Sequence, residues 1–309
     1  MRAGNLSEAT SSATGDNPQH ELDGIIDCHV HVIGPLDRFP QEAERYYTAG
    51  IATTEELVKS ASAAGVRRFV VVQPSFYGTD NRATLGAVVT LGSNGCAVAV
   101  IAAATITDVA LRTLQAQRVR GLRTNLNSAL RGDGRRLSDE LASQGNIARE
   151  MNWHLQLVVP FGSLVQNIDL VASVPVPVVI DHFGLPIGET PDSDAGRAFL
   201  NLVSLPHVWV KLSAPYRVLS DPLATTPPQD WMAALLETAP DRCVWGSDWP
   251  HTPPREEQRA RDQVLPYRTI SYASLLNEFS AMLPRHLVSR VLRSNPERLY
   301  GFAPFAEID

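Results

Sequence analysis

Eight short apolar runs, each followed by a stretch with helical spacing, constrain this 309-residue chain more than any other feature. The runs are Gly24–Ile26 leading into Asp27-Cys28-His29-Val30-His31, then Arg68–Gln73, Cys96–Ala103, Val119–Thr124, Leu155–Val159, Pro177–His182, Val208–Ser213 and Cys243–Asp248. Most carry apolar residues on both faces, as a parallel strand covered on both faces requires. Between them lie helical stretches, for example Thr54 to Ala64, the segment capped by Asp80 and running to Leu91, Leu137 to Asn152, and Pro228 to Thr238. Two more helices, Tyr272 to Leu283 and Arg285 to Arg293, follow the last run. Eight βα units predict a (β/α)8 TIM barrel of the α/β class. A doubly wound open sheet is the runner-up, but no Gly-rich phosphate loop follows any strand.

Residues 1–21 are polar and small and are expected to form a disordered tail. Residues 22–309 are expected to form one barrel domain with extra C-terminal helices. The tail lacks the apolar centre of a secretory signal, and no run reaches the roughly 18 residues of a membrane span. The net charge of −6 and the absence of long basic runs argue against nucleic acid and membrane partners. Cys28, Cys96 and Cys243 are far apart and odd in number, which argues for a reducing compartment, so a cytoplasmic location is expected. The chain is compatible with a monomer or a homo-oligomer.

Chemistry in such barrels lies at the C-terminal ends of the strands. The predicted ends carry His29 and His31, Gln73 and Ser75 with Tyr77 beyond, Arg123, His182, Lys211 and Ser213 leading to Tyr216-Arg217, and Asp248. On a strand, residues two apart share a face, so His29 and His31 should project together. By the same alternation Val178, Ile180 and His182 share a face. Asp248 can act as general base on a water, and histidines facing it can polarise a carbonyl and stabilise the oxyanion. Arg123 and Arg217 suit a substrate bearing carboxylates. The segment Leu36 to Thr53 suits an active-site loop. Arg255 to Arg261 reads as a solvated stretch, with a lid over the mouth as its alternative.

These residues fall in recognisable motifs. Asp27-Cys28-His29-Val30-His31, Asp181-His182-Phe183-Gly184, Trp245-Gly246-Ser247-Asp248-Trp249-Pro250-His251 and Asn295-Pro296-Glu297-Arg298-Leu299-Tyr300-Gly301-Phe302 together resemble the amidohydrolase superfamily, amidohydrolase-2 type. Gln73-Pro74-Ser75, Arg120-Gly121-Leu122-Arg123 and Lys211 through Arg217 resemble its branch of 2-pyrone-4,6-dicarboxylate lactonases and sulfomuconolactone hydrolases. The resemblance implies a (β/α)8 fold and hydrolysis of a small anionic lactone in aromatic-compound catabolism. Asp248 would activate water, and His29, His31 and His182 would surround the carbonyl. Arg123, Arg217, Ser75 and Tyr47 would hold the acidic groups, and position alone adds Tyr77.

One departure bears on the cofactor. Metal-dependent members of the family place a histidine near the end of strand 5, where this chain has only His154 at the strand's beginning. The resemblance therefore leans toward no essential metal, with Zn2+ on His29, His31 and Asp248 as the alternative. The competing enzyme class is a zinc-dependent decarboxylase of an aromatic or muconate-semialdehyde acid. The non-enzymatic alternative is a barrel that binds a metabolite or a protein partner.

Overall fold

In the computed structural model, residues 24–45, 47–126, 134–253 and 263–305 are described. The expected tail, Tyr46 and the Arg255–Arg261 stretch lie outside them. Eight parallel strands run in chain order around a barrel, with helices between them. They are β1 (Ile25–Val30), β2 (Val66–Val72), β3 (Gly95–Ala99), β4 (Val119–Asn125), β5 (His154–Val158), β6 (Val178–Ile180), β7 (Val208–Ser213) and β8 (Cys243–Gly246). Each pairs with the next in parallel register. The ring closes just past β8, where Asp248 N donates to His29 O and His31 N to Trp249 O, both at 2.8 Å.

Local chemistry accounts for where elements start and stop. Helix α1 (Thr54–Ser62) opens with a reciprocal cap, in which Glu56 N donates to Thr53 Oγ1 and Thr53 N donates to Glu56 Oε2. Its Leu57 and Ala61, one turn apart, are buried against the sheet. Gly65, at φ +81°, then turns the chain into β2. The third strand ends at Ala99, short of the expected Ala103. There the Asn81 amide takes both backbone groups of Val100, which diverts them from any strand partner. Beyond Tyr272–Met282, the expected helix to Arg293 is a short 3-10 turn followed by a wide turn that runs into Asn295–Tyr300. Pro296 falls in that last helix's first turn, where its missing N–H costs nothing.

Most of the core lies between sheet and helices. A second apolar cluster, with Val70, Val72, Cys96, Val98, Val179, Trp209 and Val244 from the strands, is completed by Tyr300 and Phe302 from the C-terminal segment. It closes the N-terminal end of the barrel and leaves the other end for polar groups. The loop after β1 folds back there. Its Thr48–Ala49 pairs with Val264–Leu265, and the Gln41 amide brackets Ala49 from both sides. Among the described residues no helix is long and apolar enough to cross a membrane.

Candidate active site

Strand β1 gains one residue on β2 between Asp27 and Val30, the signature of a bulge. Asp27 accordingly faces the helix layer, where it accepts from Tyr272 Oη at 2.6 Å. Its other oxygen accepts from His29 N and Ser247 N, each at 3.0 Å, pinning β1 to β8. Past the bulge, His29 and His31 turn inward together, as the two-residue alternation predicts. The His31 ring donates from Nδ1 to Val72 O at 2.7 Å, so its Nε2 carries a free lone pair.

Asp248 is fully buried, on a residue whose φ of +59° swings its side chain into the mouth. Its Oδ2 accepts from Tyr216 Oη and from Arg217 Nε, both at 2.8 Å. Its Oδ1 makes no hydrogen bond and stands 3.5 Å from both His29 Nε2 and His31 Nε2. Burial opposes the charge of Asp248, but Arg217 and the surrounding imidazoles outweigh it and hold the carboxyl well below the usual carboxylate range. Burial lowers the pKa of all three imidazoles, that of His182 to about 3. The site therefore holds neutral imidazoles facing an ionised carboxylate at neutral pH.

Strand β6 departs from the expected face. Val178 and Ile180 pack outward with the helices, while Val179 faces the barrel interior, and so does Asp181. His182 also reaches the site because its φ of +53° breaks the strand geometry, placing Nδ1 2.9 Å from Ser213 Oγ. Two consecutive residues thus enter one site. Asp181 accepts from Gln156 Nε2 at 2.8 Å, and Lys211, with no exposed surface, donates to Gln156 Oε1 at 2.6 Å.

Arg123 is buried, with Nη1 donating to Gln73 O at 2.9 Å, Nη2 3.9 Å from Asp181 Oδ2, and Nε without a partner. Gln73 holds the turn beyond β2 through Gly78 O and Asp80 O. Tyr47 is buried; burial raises its pKa, while Arg217, Asp248 and Arg123 all act on it electrostatically, which puts it beside the site. Tyr77 is buried against Phe76 with its hydroxyl taking Gly34 N–H, and Ser75 is exposed at the start of the 3-10 turn.

Asp181, Lys211, Gln156, Tyr216 and His251 complete the cluster; by sequence Lys211 and Tyr216 stand among the polar strand ends, but none of the five is given a role there. His251 Nδ1 lies 3.3 Å from Tyr216 Oη. A legible signal did exist for Lys211, a lone charge inside the apolar run Val208–Ser213. Within this cluster Lys211, Arg123 and the half-buried Arg217 outnumber the carboxylates of Asp181 and Asp248 by one, Asp27 facing the helix layer instead. Such a mouth favours an anionic guest.

Two donor sets in this cluster have cation-binding spacing, namely His29, His31 and Asp248, and His29, Asp181 and His182. A tetrahedron around zinc with bonds of about 2.1 Å has an edge of about 3.4 Å. The 3.5 Å separations of Asp248 Oδ1 from the two Nε2 atoms fit that edge. In the second set the Lys211 ammonium already lies 3.4 Å from Asp181 Oδ1. His154, the only histidine of β5, packs at the far end against the Tyr300 ring and over Gly121.

Comparison with known proteins shows the family and the fold. The family model described as amidohydrolase matches residues 26–302. A 2-pyrone-4,6-dicarboxylate hydrolase of Comamonas testosteroni is 31% identical over 299 residues, covering 93% of this chain and 94% of its own. A 4-sulfomuconolactone hydrolase of Rhizobium radiobacter is 30% identical over 289 residues, covering 90% of each chain. The crystal structure of a probable 2-pyrone-4,6-dicarboxylic acid hydrolase from Acinetobacter baumannii, with citric acid bound, superposes with a TM-score of 0.77 at 28% identity. That match covers 90% of this chain and all of the other.

Proposed function

This chain belongs to the amidohydrolase family and is a hydrolytic enzyme, and we propose that it opens a small anionic lactone of the 2-pyrone-4,6-dicarboxylate, muconolactone or 4-sulfomuconolactone type. One observation carries the reading. The clamped Oδ2 of Asp248 leaves Oδ1 as its free, ionised oxygen, facing two imidazoles in a mouth with excess positive charge.

In this reading Asp248 Oδ1 takes a proton from water as the water oxygen attacks the lactone carbonyl. Imidazole N–H groups stabilise the oxygen on which negative charge develops. The ring C–O bond then breaks, and the protonated Asp248 returns its proton to the leaving oxygen. Lactone and water become the open-chain acid, with Asp248 restored. Arg123 and the remaining N–H groups of Arg217 bind the carboxylate or sulfonate that makes the substrate anionic. A zinc ion, where bound, would be held by His29, His31 and Asp248 and would supply Lewis acidity at the carbonyl or a water of lowered pKa.

The test is hydrolysis of the three lactones by chelator-treated protein, with and without added zinc. Turnover of one of them, lost at least about 10²-fold in Asp248→Asn with the fold intact, is the expected result. No hydrolysis under either condition overturns the reading, and carbon dioxide release from aromatic acids would replace it with decarboxylation.

A further inference from the structure

Behind His29 lies a buried group that the hydrolytic steps above do not use. Lys211 has no exposed surface; its Nζ donates to Gln156 Oε1 at 2.6 Å, stands at ion-pair distance, 3.4 Å, from Asp181 Oδ1, and lies 3.4 Å from His29 Nδ1. The Gln156 amide is oriented by its other end, because Nε2 donates to Asp181 Oδ2 at 2.8 Å and so Oε1 must accept. Lys211 is therefore a donor there, beside an ionised Asp181. One of the three ammonium hydrogens serves Gln156 Oε1, which leaves others to meet His29 Nδ1.

The approach of the ammonium to Nδ1 decides the state of His29. Were Nδ1 protonated, an N–H would point toward the ammonium 3.4 Å away, donor against donor. Asp181 Oδ1 also lies 3.4 Å from Nδ1, at ion-pair distance from both the ring and the ammonium and without a well-formed hydrogen bond to either. We propose that Lys211 is a positioning residue that fixes His29 with a bare Nδ1, so that Nε2–H faces the mouth as the donor to the lactone carbonyl. The donor role rests on the lactonase reading; the tautomer itself does not. The two histidines then differ in kind. His31, tied to Val72 O through Nδ1–H, presents a lone pair, and His29 presents a hydrogen.

The same arrangement sets the affinity for a cation. For His29 to ligate a metal through Nε2, its hydrogen must move to Nδ1, against Lys211 and toward Asp181. Lys211 thus opposes metal binding on His29, His31 and Asp248, and Asp181 favours it. Removing the ammonium should release the ligand set.

The experiment is nitrogen NMR of chelator-treated, 15N-histidine-labelled protein, with the His29 signals assigned by their loss in His29→Gln. Wild type should show the Nε2–H tautomer at His29, and Lys211→Met should show Nδ1–H. A zinc titration should find Lys211→Met binding at least about tenfold tighter than wild type. An Nδ1–H signal at His29 in wild type overturns the proposal, as does unchanged zinc affinity in a folded Lys211→Met. Should that variant not fold, the wild-type tautomer decides alone, with Asp181→Asn expected to keep Nε2–H. Failure of lactone hydrolysis with the Nε2–H tautomer present would sink the functional reading and leave the role of Lys211 standing.

Discussion

A Cβ on Gly246 would stand 2.7 Å from the Cβ of His29 and 2.9 Å from its backbone nitrogen. Strands β8 and β1 approach here closely enough for Asp248 and His29 to share one site, and only a residue without a side chain permits it. Gly246→Ala should therefore push β1 from β8, costing about 1–3 kcal/mol of stability. Activity should fall further than stability does. A thermal melt and a kcat/KM measurement on the same preparation check both parts.

Arg217 holds Asp248 Oδ2 at 2.8 Å and is the strongest influence keeping that carboxylate ionised against its burial. Its loss should cost roughly 1.5–3 kcal/mol of charged hydrogen bonding, or about ten- to a hundredfold in kcat/KM. The sign with pH follows. Removing the cation raises the pKa of Asp248, so the acid limb of kcat/KM should move to higher pH in Arg217→Met. In wild type that limb should lie below the usual carboxylate range, since Asp248 is held well below its ordinary value and burial lowers His182 to about 3. A pH–rate profile of both proteins is the check, and coincident acid limbs would contradict the assignment.

Asp27 behaves in the opposite sense. Burial, only partly offset by hydrogen bonds from Ser247, Tyr272 and His29, raises its pKa from 3.8 to about 6. A carboxyl whose folded pKa is raised contributes stability that is full below the unfolded value and is lost as pH climbs through the folded one. At neutral pH its ionisation costs about 3 kcal/mol. In Asp27→Asn the amide oxygen can still accept from His29 N and Ser247 N, while the titration is gone. The variant should gain on wild type at pH 7.5, keep about half of that advantage at pH 5 and lose it only below the unfolded value of 3.8, as melting temperatures measured down to that pH will show.

Much of this was legible locally. The eight runs read as parallel strands because buried strands are apolar on both faces, and His29 and His31 read as a pair because alternation is a property of neighbours. The same rule misplaced β6, where the left-handed φ of His182 ends the alternation and Asp181 turns inward beside it. It also could not foresee the bulge that sends Asp27 away from His29, since a bulge is defined only against the partner strand.

By itself the sequence determined the order of strands and which strand ends carry polar chemistry, because burial and periodicity act over a few residues at a time. The tertiary structure alone decided which atoms are available. Oδ1 rather than Oδ2 of Asp248 is free because Tyr216 and Arg217 arrive from the neighbouring strand's end. The environment of His29 is set by Lys211, 182 residues along the chain. Hydrogen-bond assignments depend on distances that exist only once the barrel has closed.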